Sequence, residues 1–97
     1  MAKSKLRDSA RGQSCQIRIY QVCNGDNSTT VLAHLGGGGM GMKKNDIHGA
    51  YACSNCHDAV DGRLKTAYSA NELKLSHYEG VERTQDIWLK SGLMGVK

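Results

Sequence analysis

The stretch that decides the fold is Cys53-Ser54-Asn55-Cys56-His57. The other two cysteines of the chain, Cys15 and Cys23, precede it. A tetrahedral zinc site needs four soft or borderline ligands, and two short turns that each carry a pair of cysteines supply them. We therefore predict that Cys15, Cys23, Cys53 and Cys56 bind one structural zinc ion. Such an ion would join two parts of the chain that lie far apart in sequence.

Other chemistries remain open for the same cysteines. The basic start of the sequence is not followed by an apolar segment, so we see no secretory signal and expect a cytoplasmic protein. Clustered cysteines in that compartment are more typical of metal sites than of disulfides, and two disulfides are the alternative. Cys53-x-x-Cys56-His57 also matches the covalent haem signature, but haem attachment would leave Cys15 and Cys23 without a role.

The length of the chain indicates one small domain spanning residues 1–97, and the strands and helices predicted below make it α+β. The chain has 12 glycines, four tyrosines, one tryptophan and no phenylalanine, so it lacks the side chains for a large aromatic core. Small chains bury a low fraction of their surface, and metal ions commonly supply the missing stability. No segment approaches the roughly 20 apolar residues of a membrane helix.

The net charge of +4 is concentrated near the start of the chain. Residues 1–14 show no hydrophobic periodicity, and we predict an extended basic arm. The phosphates of DNA are the partner that this arm would contact. Its candidate contact residues are Lys3, Lys5, Arg7 and Arg11. A solvated tail without a partner is the alternative.

The central part of the sequence predicts short elements. The alternation of polar and apolar residues over 16–20 indicates a short strand or one side of a zinc knuckle. Residues 29–35 and 48–52 are predicted strands, and the second leads directly into Cys53. Ser54 is the expected N-cap of a short helix over 55–61.

The clearest helix spans residues 69–91. Ser69 and Glu72 have the spacing of a capping box, and Gly92 is a natural C-terminal cap. Gly80 is expected to kink or break this helix. One apolar stripe recurs at intervals of three or four residues, at Leu73, His77, Val81, Thr84 and Trp88.

A glycine-rich segment, 36–42, formally contains the pattern G-x-G-x-x-G. A dinucleotide site also needs a βαβ unit around that pattern, and the chain has no room for one. We therefore predict a loop and no dinucleotide cofactor.

Four histidines are candidates for chemistry. His34 is the strongest, because it ends an apolar strand just before the glycine-rich loop, although a buried core histidine fits the sequence equally well. His57 follows Cys56 and would face a cleft or support the zinc site. His48 is expected to be exposed, and His77 lies on the apolar stripe of the last helix.

The order of several short segments resembles the YbcO-like nucleases of lambdoid phages and prophages. The segments are Ala10-Arg11-Gly12, Val22-Cys23-Asn24, Leu32-Ala33-His34, Cys56-His57-Asp58-Ala59-Val60-Asp61 and 83–90, so the similarity covers nearly the whole chain. The resemblance implies a zinc-stapled ββα-metal domain, HNH-like or treble-clef-like, with a C-terminal helix.

The resemblance also implies a function, a metal-dependent endonuclease that hydrolyses phosphodiester bonds in DNA. His34 would activate the attacking water, His57 would bind the catalytic metal, and Asp46 is the preferred stand-in for the asparagine that orients the base in HNH enzymes. A second divalent cation, such as Mg²⁺ or Mn²⁺, would serve catalysis. Ala33 departs from the pattern, because HNH sites commonly carry an acidic residue or histidine there. Asp58 and Asp61 are further candidates for the metal shell.

Two rival functions remain at this stage. One is a non-catalytic zinc module that binds nucleic acid or a protein partner, and the other is a nuclease fold that has lost activity. An active nuclease predicts that His34 and His57 meet in one open cleft, whereas a binding module predicts buried or divergent histidines.

Overall fold

A two-stranded antiparallel sheet and the helix that follows it form the centre of the molecule. Strand β1 (Val31–His34) pairs with β2 (Gly49–Ala52), so that His34 lies opposite Gly49, and α2 (Ser54–Val60) begins two residues after β2 ends. The computed structural model describes residues 5–35 and 46–94. Lys3 and the glycine-rich segment 36–42 lie outside the described residues.

The two faces of the sheet pack against different partners. Side chains alternate between the faces of a strand. Leu32 and Tyr51, which are directly opposite each other, belong to one core cluster with Trp88. Ala33 and Ala50, the next pair, belong to a second cluster. That second cluster also contains Cys15, Ile17, Ile19, Ala52, Cys53, Cys56, Ala59 and Val81.

A polar network closes the first cluster. The ring of Trp88 meets that of Tyr51 edge to face, with centroids 6.0 Å apart. Trp88 Nε1 donates to the Tyr51 hydroxyl at 2.8 Å, and that hydroxyl lies 2.6 Å from Ser9 Oγ. Buried aromatic side chains with polar groups need such partners. The network fixes Ser9, near the start of the chain, to both the sheet and the last helix.

The prediction of an extended arm over 1–14 is wrong for the residues described from 5 onward. Lys5–Ser9 form a short helix, α1, and Ala10 is buried against the Trp88 cluster, with Leu6 packed beside it. Arg7 pairs with Asp46. Tertiary packing and this ion pair therefore hold the segment, for which the sequence pattern alone gives no helix.

Helix α3 (Ala70–Ser91) has the predicted ends. The capping box is present, with Glu72 N donating to Ser69 Oγ at 3.1 Å, and Gly92 ends the helix with φ +84°. Gly80 does not break the helix, which continues through it from Ala70 to Ser91. A Cβ at Gly80 would lie 2.8 Å from Cγ1 of Ile17, so glycine is needed there for close packing.

The remaining elements are close to prediction. The strands are shorter than expected, since residues 27–29 and 46–48 form 3-10 turns before β1 and β2. Residues 16–20 do not form a strand, and Arg18 has φ +57°. Of the two structures predicted for this segment, only one side of a zinc knuckle remains. Cys53, not Ser54, caps α2, because its sulfur accepts from Cys56 N. Among the described residues, no helix is long and apolar enough to cross a bilayer.

Candidate metal centre and adjoining cleft

The four cysteines converge on one point. Their sulfur atoms all lie within 4.8 Å of one another, and the Sγ atoms of Cys23 and Cys53 are 3.8 Å apart. Sulfurs that bind one tetrahedral ion at about 2.3 Å lie about 3.8 Å from each other. All four cysteines are free of disulfides. The cluster can therefore hold one metal ion such as zinc.

Backbone amides surround the sulfurs. Arg18 N donates to Cys15 Sγ at 3.4 Å, and Cys53 Sγ accepts from Asn24 N at 3.5 Å. Arg18 and Gln21 both have positive φ, which is uncommon for residues other than glycine and allows the segment 15–23 to wrap around the cluster. Amide donors favour the thiolate form of cysteine, which is the form that binds metals.

The thiols of the cluster differ in how readily they ionise. The hydrogen bond from the Cys56 thiol lowers the pKa of Cys15 to about 4, whereas the same contact raises that of Cys56 well above its usual value. Burial raises the pKa of Cys23. Burial therefore opposes ionisation of Cys23 and Cys56, and a bound divalent ion would favour their thiolate forms.

His34 lies at the end of β1 beside a carboxylate. Its Nε2 is 2.7 Å from Asp46 Oδ1, and Arg7 Nη2 lies 3.3 Å from the same oxygen. The backbone bond from Leu35 N to His48 O holds the strand end beside the turn that carries Asp46. An ionised carboxylate only accepts hydrogen bonds. A neutral His34 therefore donates from Nε2 and keeps a lone pair on Nδ1.

His57 lies on α2 among charged side chains. Its Nε2 is 3.4 Å from Asp61 Oδ2, and its Nδ1 is 3.4 Å from Arg63 Nη2. The same guanidinium nitrogen lies 3.0 Å from Asp61 and 3.2 Å from Asp58. Arg63 thus lies within ion-pair distance of both carboxylates that follow His57 on the chain.

A cleft of about 380 Å³ opens between α2 and α3. Its polar lining consists of His34, Asp61, Lys74, His77 and Tyr78. His57 does not line it, so the predicted pair of histidines is not brought into one cavity. Instead, His57 contacts the cleft residue Asp61.

Two predicted histidines have the expected surroundings. His48 is exposed. His77 is buried on the inner face of α3, where Nε2 donates to the carbonyl of Ala33 at 2.8 Å, and burial lowers its pKa. His77 therefore fixes the backbone directly before His34.

Sequence reasoning missed two cleft residues, Lys74 and Tyr78. Both lie on the helical face that carries Ala70, Leu73 and His77, at the spacing of three and four residues. The spacing can be read from the sequence, but the sequence does not indicate that this face of α3 lines a cleft.

The fold and the cysteine cluster define a small α+β domain with a site for one metal ion beside an open cleft. A sequence model of the family described as "Putative nuclease YbcO" matches residues 4–93. The chain belongs to this family, as the order of its short segments had suggested.

The chain is similar in sequence to known proteins along nearly its whole length. The chain is 47% identical over 92 residues to "Putative nuclease YbcO" of Escherichia coli K12, which covers 92% of this chain and 95% of the relative. A protein of the same description from Enterobacteria phage 82 has the same identity and coverage. A solved structure, described as a putative bacteriophage protein from Escherichia coli K-12, matches with a TM-score of 0.79 and 44% identity. It covers 91% of this chain and 100% of the other.

Proposed function

We propose that this protein is a metal-dependent endonuclease of the ββα-metal (HNH) type that hydrolyses phosphodiester bonds in DNA. The observation that carries the proposal is the contact between His34 Nε2 and Asp46 Oδ1 at 2.7 Å, at the edge of an open cleft. Two further features support it. An antiparallel hairpin leads directly into a helix, and the relatives carry the description of a nuclease.

His34 is the general base in this proposal. With Nε2 donating to Asp46, its Nδ1 accepts a proton from the attacking water. Asp46 orients the imidazole and stabilises the imidazolium that forms, as a carboxylate partner does in other base–carboxylate pairs. Arg7 holds Asp46 in place through the second contact to the same oxygen.

His57 and Asp61 are the residues that would hold a cation such as Mg²⁺ or Mn²⁺. A bound divalent cation stabilises negative charge on the phosphate and the leaving oxygen. Among residues 5–35 and 46–94, only the cysteines bring three or more ligand side chains together, so the protein offers this cation two donors. Mg²⁺ commonly binds one or two side chains and takes its other ligands from phosphate and water.

The four cysteines serve the structure in this proposal, as ligands of a zinc ion. A structural site is closed by four protein ligands, and all four are supplied here by Cys15, Cys23, Cys53 and Cys56. The ion ties the segment 15–23 to the start of α2, which carries His57.

The basic residues at the start of the chain would contact DNA phosphates. Lys5 and Arg11 are exposed, and Arg7, also exposed, reaches Asp46 at the base. We therefore infer that DNA crosses α1 on its way to the cleft, and we include Lys3 as a further contact.

A non-catalytic zinc module is the second candidate. It is favoured by Ala33, which offers no metal ligand beside His34, and by the two-donor cation site. The position of His57 outside the cleft that His34 lines also favours it, because an active nuclease predicted both histidines in one cleft. Such a module would bind DNA without cutting it.

Cleavage of plasmid and branched DNA tests the proposal. The purified chain is assayed with Mg²⁺ or Mn²⁺ and without either cation, next to the variants His34→Ala and His48→Ala. Loss of a general base lowers the rate about 10²- to 10⁴-fold, so His34→Ala should lose at least about 10²-fold, while the exposed His48 should be dispensable. Equal cleavage by wild type and His34→Ala would contradict the assignment of the base. Binding without cleavage would favour the zinc module.

A further inference from the structure

Two side chains on the wall of the cleft have no role in the proposed chemistry. Lys74 and Tyr78 lie one turn apart on α3 and line the cavity that contains His34. Tyr78 is 55% exposed. Within residues 5–35 and 46–94, Lys74 has no ion pair, and the ring of Tyr78 stacks on no other aromatic side chain.

We propose that Lys74 and Tyr78 form a binding site for an unpaired nucleotide, with Lys74 on a phosphate and the Tyr78 ring stacked on the base. The inference rests on the proposed function for the nature of the substrate, and it narrows that substrate to single-stranded or locally unpaired DNA.

The charges around the cleft suit a phosphate. Asp61 is the acidic residue of the lining, and Arg63 lies 3.0 Å from its carboxylate. His77 is buried with its pKa lowered, so it stays neutral at neutral pH. Among the described residues that line the cleft, Lys74 is the one lysine or arginine, so a phosphate entering the cleft would pair with its ammonium.

The exposed ring suits an unpaired base. In a duplex, neighbouring base pairs cover both faces of each base, so a ring on a cleft wall can stack only on a base that has left the helix. Proteins that bind single strands commonly combine a basic groove with aromatic side chains in this way. The cavity volume of about 380 Å³ lies at the small end of ligand pockets, which range from roughly 300 to 1,000 Å³.

The spacing on α3 lets both side chains serve one nucleotide or two adjacent ones. Residues four apart on a helix have Cβ atoms about 5–6 Å from each other. His34 lies on the opposite element, β1, so a strand held by Lys74 and Tyr78 passes beside the proposed base.

Binding measurements test the site without relying on cleavage. Fluorescence anisotropy is recorded with a short labelled oligothymidylate and with the same strand paired to its complement. The buffer contains no added divalent cation and no chelator, so that a zinc ion on the cysteines is retained. The variants are Tyr78→Ala, Tyr78→Phe and Lys74→Gln. Their matched controls on the same helix are Leu75→Ala, which is exposed outside the cleft, and Lys90→Gln, which removes a lysine paired with Asp86.

We expect Tyr78→Ala to weaken single-strand binding roughly 5- to 150-fold, the range for loss of one stacking aromatic, and Tyr78→Phe to keep wild-type affinity. Lys74→Gln should lower the slope of log affinity against log salt by about 0.7, the value for one phosphate contact on a single strand. The controls and all duplex affinities should stay within about twofold of wild type.

Three results would overturn the site. They are wild-type single-strand binding by Tyr78→Ala, an equal loss on duplex and single strand, and a Tyr78→Phe variant as weak as Tyr78→Ala. Because the readout is binding, tight single-strand binding that depends on Tyr78 in a protein that never cleaves DNA would support this site and contradict the nuclease proposal alone.

Discussion

The cysteine cluster and the histidine cleft lie on neighbouring parts of the same small domain, yet they are built in different ways. Cys53 and Cys56 are fully buried, and the four sulfurs face one another with backbone amides around them. The side chains of His34 and His57 are 23% and 29% exposed, and each pairs with a different carboxylate. A closed set of four ligands suits a structural ion, whereas a partly exposed histidine that lines a cavity, as His34 does, can exchange water and substrate.

From this comparison we propose that the cysteines stabilise the fold and that the side chains around the cleft take part in catalysis. Changes in the cluster should therefore abolish folding, while changes in the cleft should alter function and leave the fold in place.

The largest effect is expected from Cys53→Ser. Structural zinc sites contribute apparent folding free energies of about 10–16 kcal/mol, which exceeds the net stability of about 5–15 kcal/mol of a typical domain. Circular dichroism should show an unfolded or aggregated variant, and slow removal of zinc from the wild type with a strong chelator should have the same result. The control is Ser54→Ala at the neighbouring position, which removes the side-chain hydrogen bond that Ser54 Oγ accepts from Asn24. A zinc-free variant with wild-type spectra and melting would contradict the structural assignment.

The parts of the fold that were predicted from sequence are those fixed by local contacts. Helix α3 begins and ends where Ser69, Glu72 and Gly92 indicate, because capping groups act within one turn of the helix. The two strands and α2 also lie near their predicted positions, with boundaries shifted by one or two residues at the turns.

The missed features depend on contacts between distant residues. Helix α1 is only five residues long, too short to be stable alone, and it is held by Leu6 against the Trp88 cluster and by Arg7 on Asp46. Gly80 was interpreted as a helix breaker because its propensity is low, whereas its role is to admit Ile17.

Like the fold, the candidate site could be predicted in part from the sequence. The cysteine spacing indicated which thiols meet, and the resemblance to the family pointed to His34, Asp46 and His57. The sequence could not show that His57 lies outside the cleft or that Lys74 and Tyr78 line it, since both facts depend on how α3 packs beside α2 and β1.

A smaller effect, confined largely to function, is expected from Asp46→Ala. Alanine removes the carboxylate that orients His34 and stabilises its protonated form, and it also removes the ion pair with the largely exposed Arg7. We expect plasmid cleavage to fall by at least about 10-fold but by less than on loss of the base itself, and the melting temperature to fall only as far as loss of one exposed ion pair lowers it. Asp86→Ala, which removes an exposed carboxylate on α3, is the control. If Asp46→Ala cleaved DNA at the wild-type rate, the carboxylate would have no part in catalysis.

The smallest effect concerns the pH dependence of stability. Burial lowers the pKa of His77 in the folded protein, so in acid the unfolded chain takes up this proton more readily than the native state does. Above the pKa of about 6.5 that His77 has in the unfolded chain, its titration does not affect the free energy of unfolding. As the pH falls below that value, the free energy of unfolding decreases by up to about 1.4 kcal/mol per pH unit.

Thermal melts of wild type and His77→Gln between pH 8 and about pH 5 measure this contribution. Glutamine can still donate to the Ala33 carbonyl but does not titrate, so the variant should lose less stability in acid than wild type. His48→Gln, which changes an exposed histidine, should follow the wild-type curve. Parallel curves for wild type and His77→Gln would show that His77 does not resist protonation in the native state.

The most direct test of the division between the two sites is native mass spectrometry of His34→Ala beside wild type, on the same samples used for plasmid cleavage. We predict one zinc ion per chain in both proteins and cleavage only by the wild type. Loss of zinc together with cleavage in His34→Ala would contradict it, because His34 would then belong to the structure that the cysteines hold.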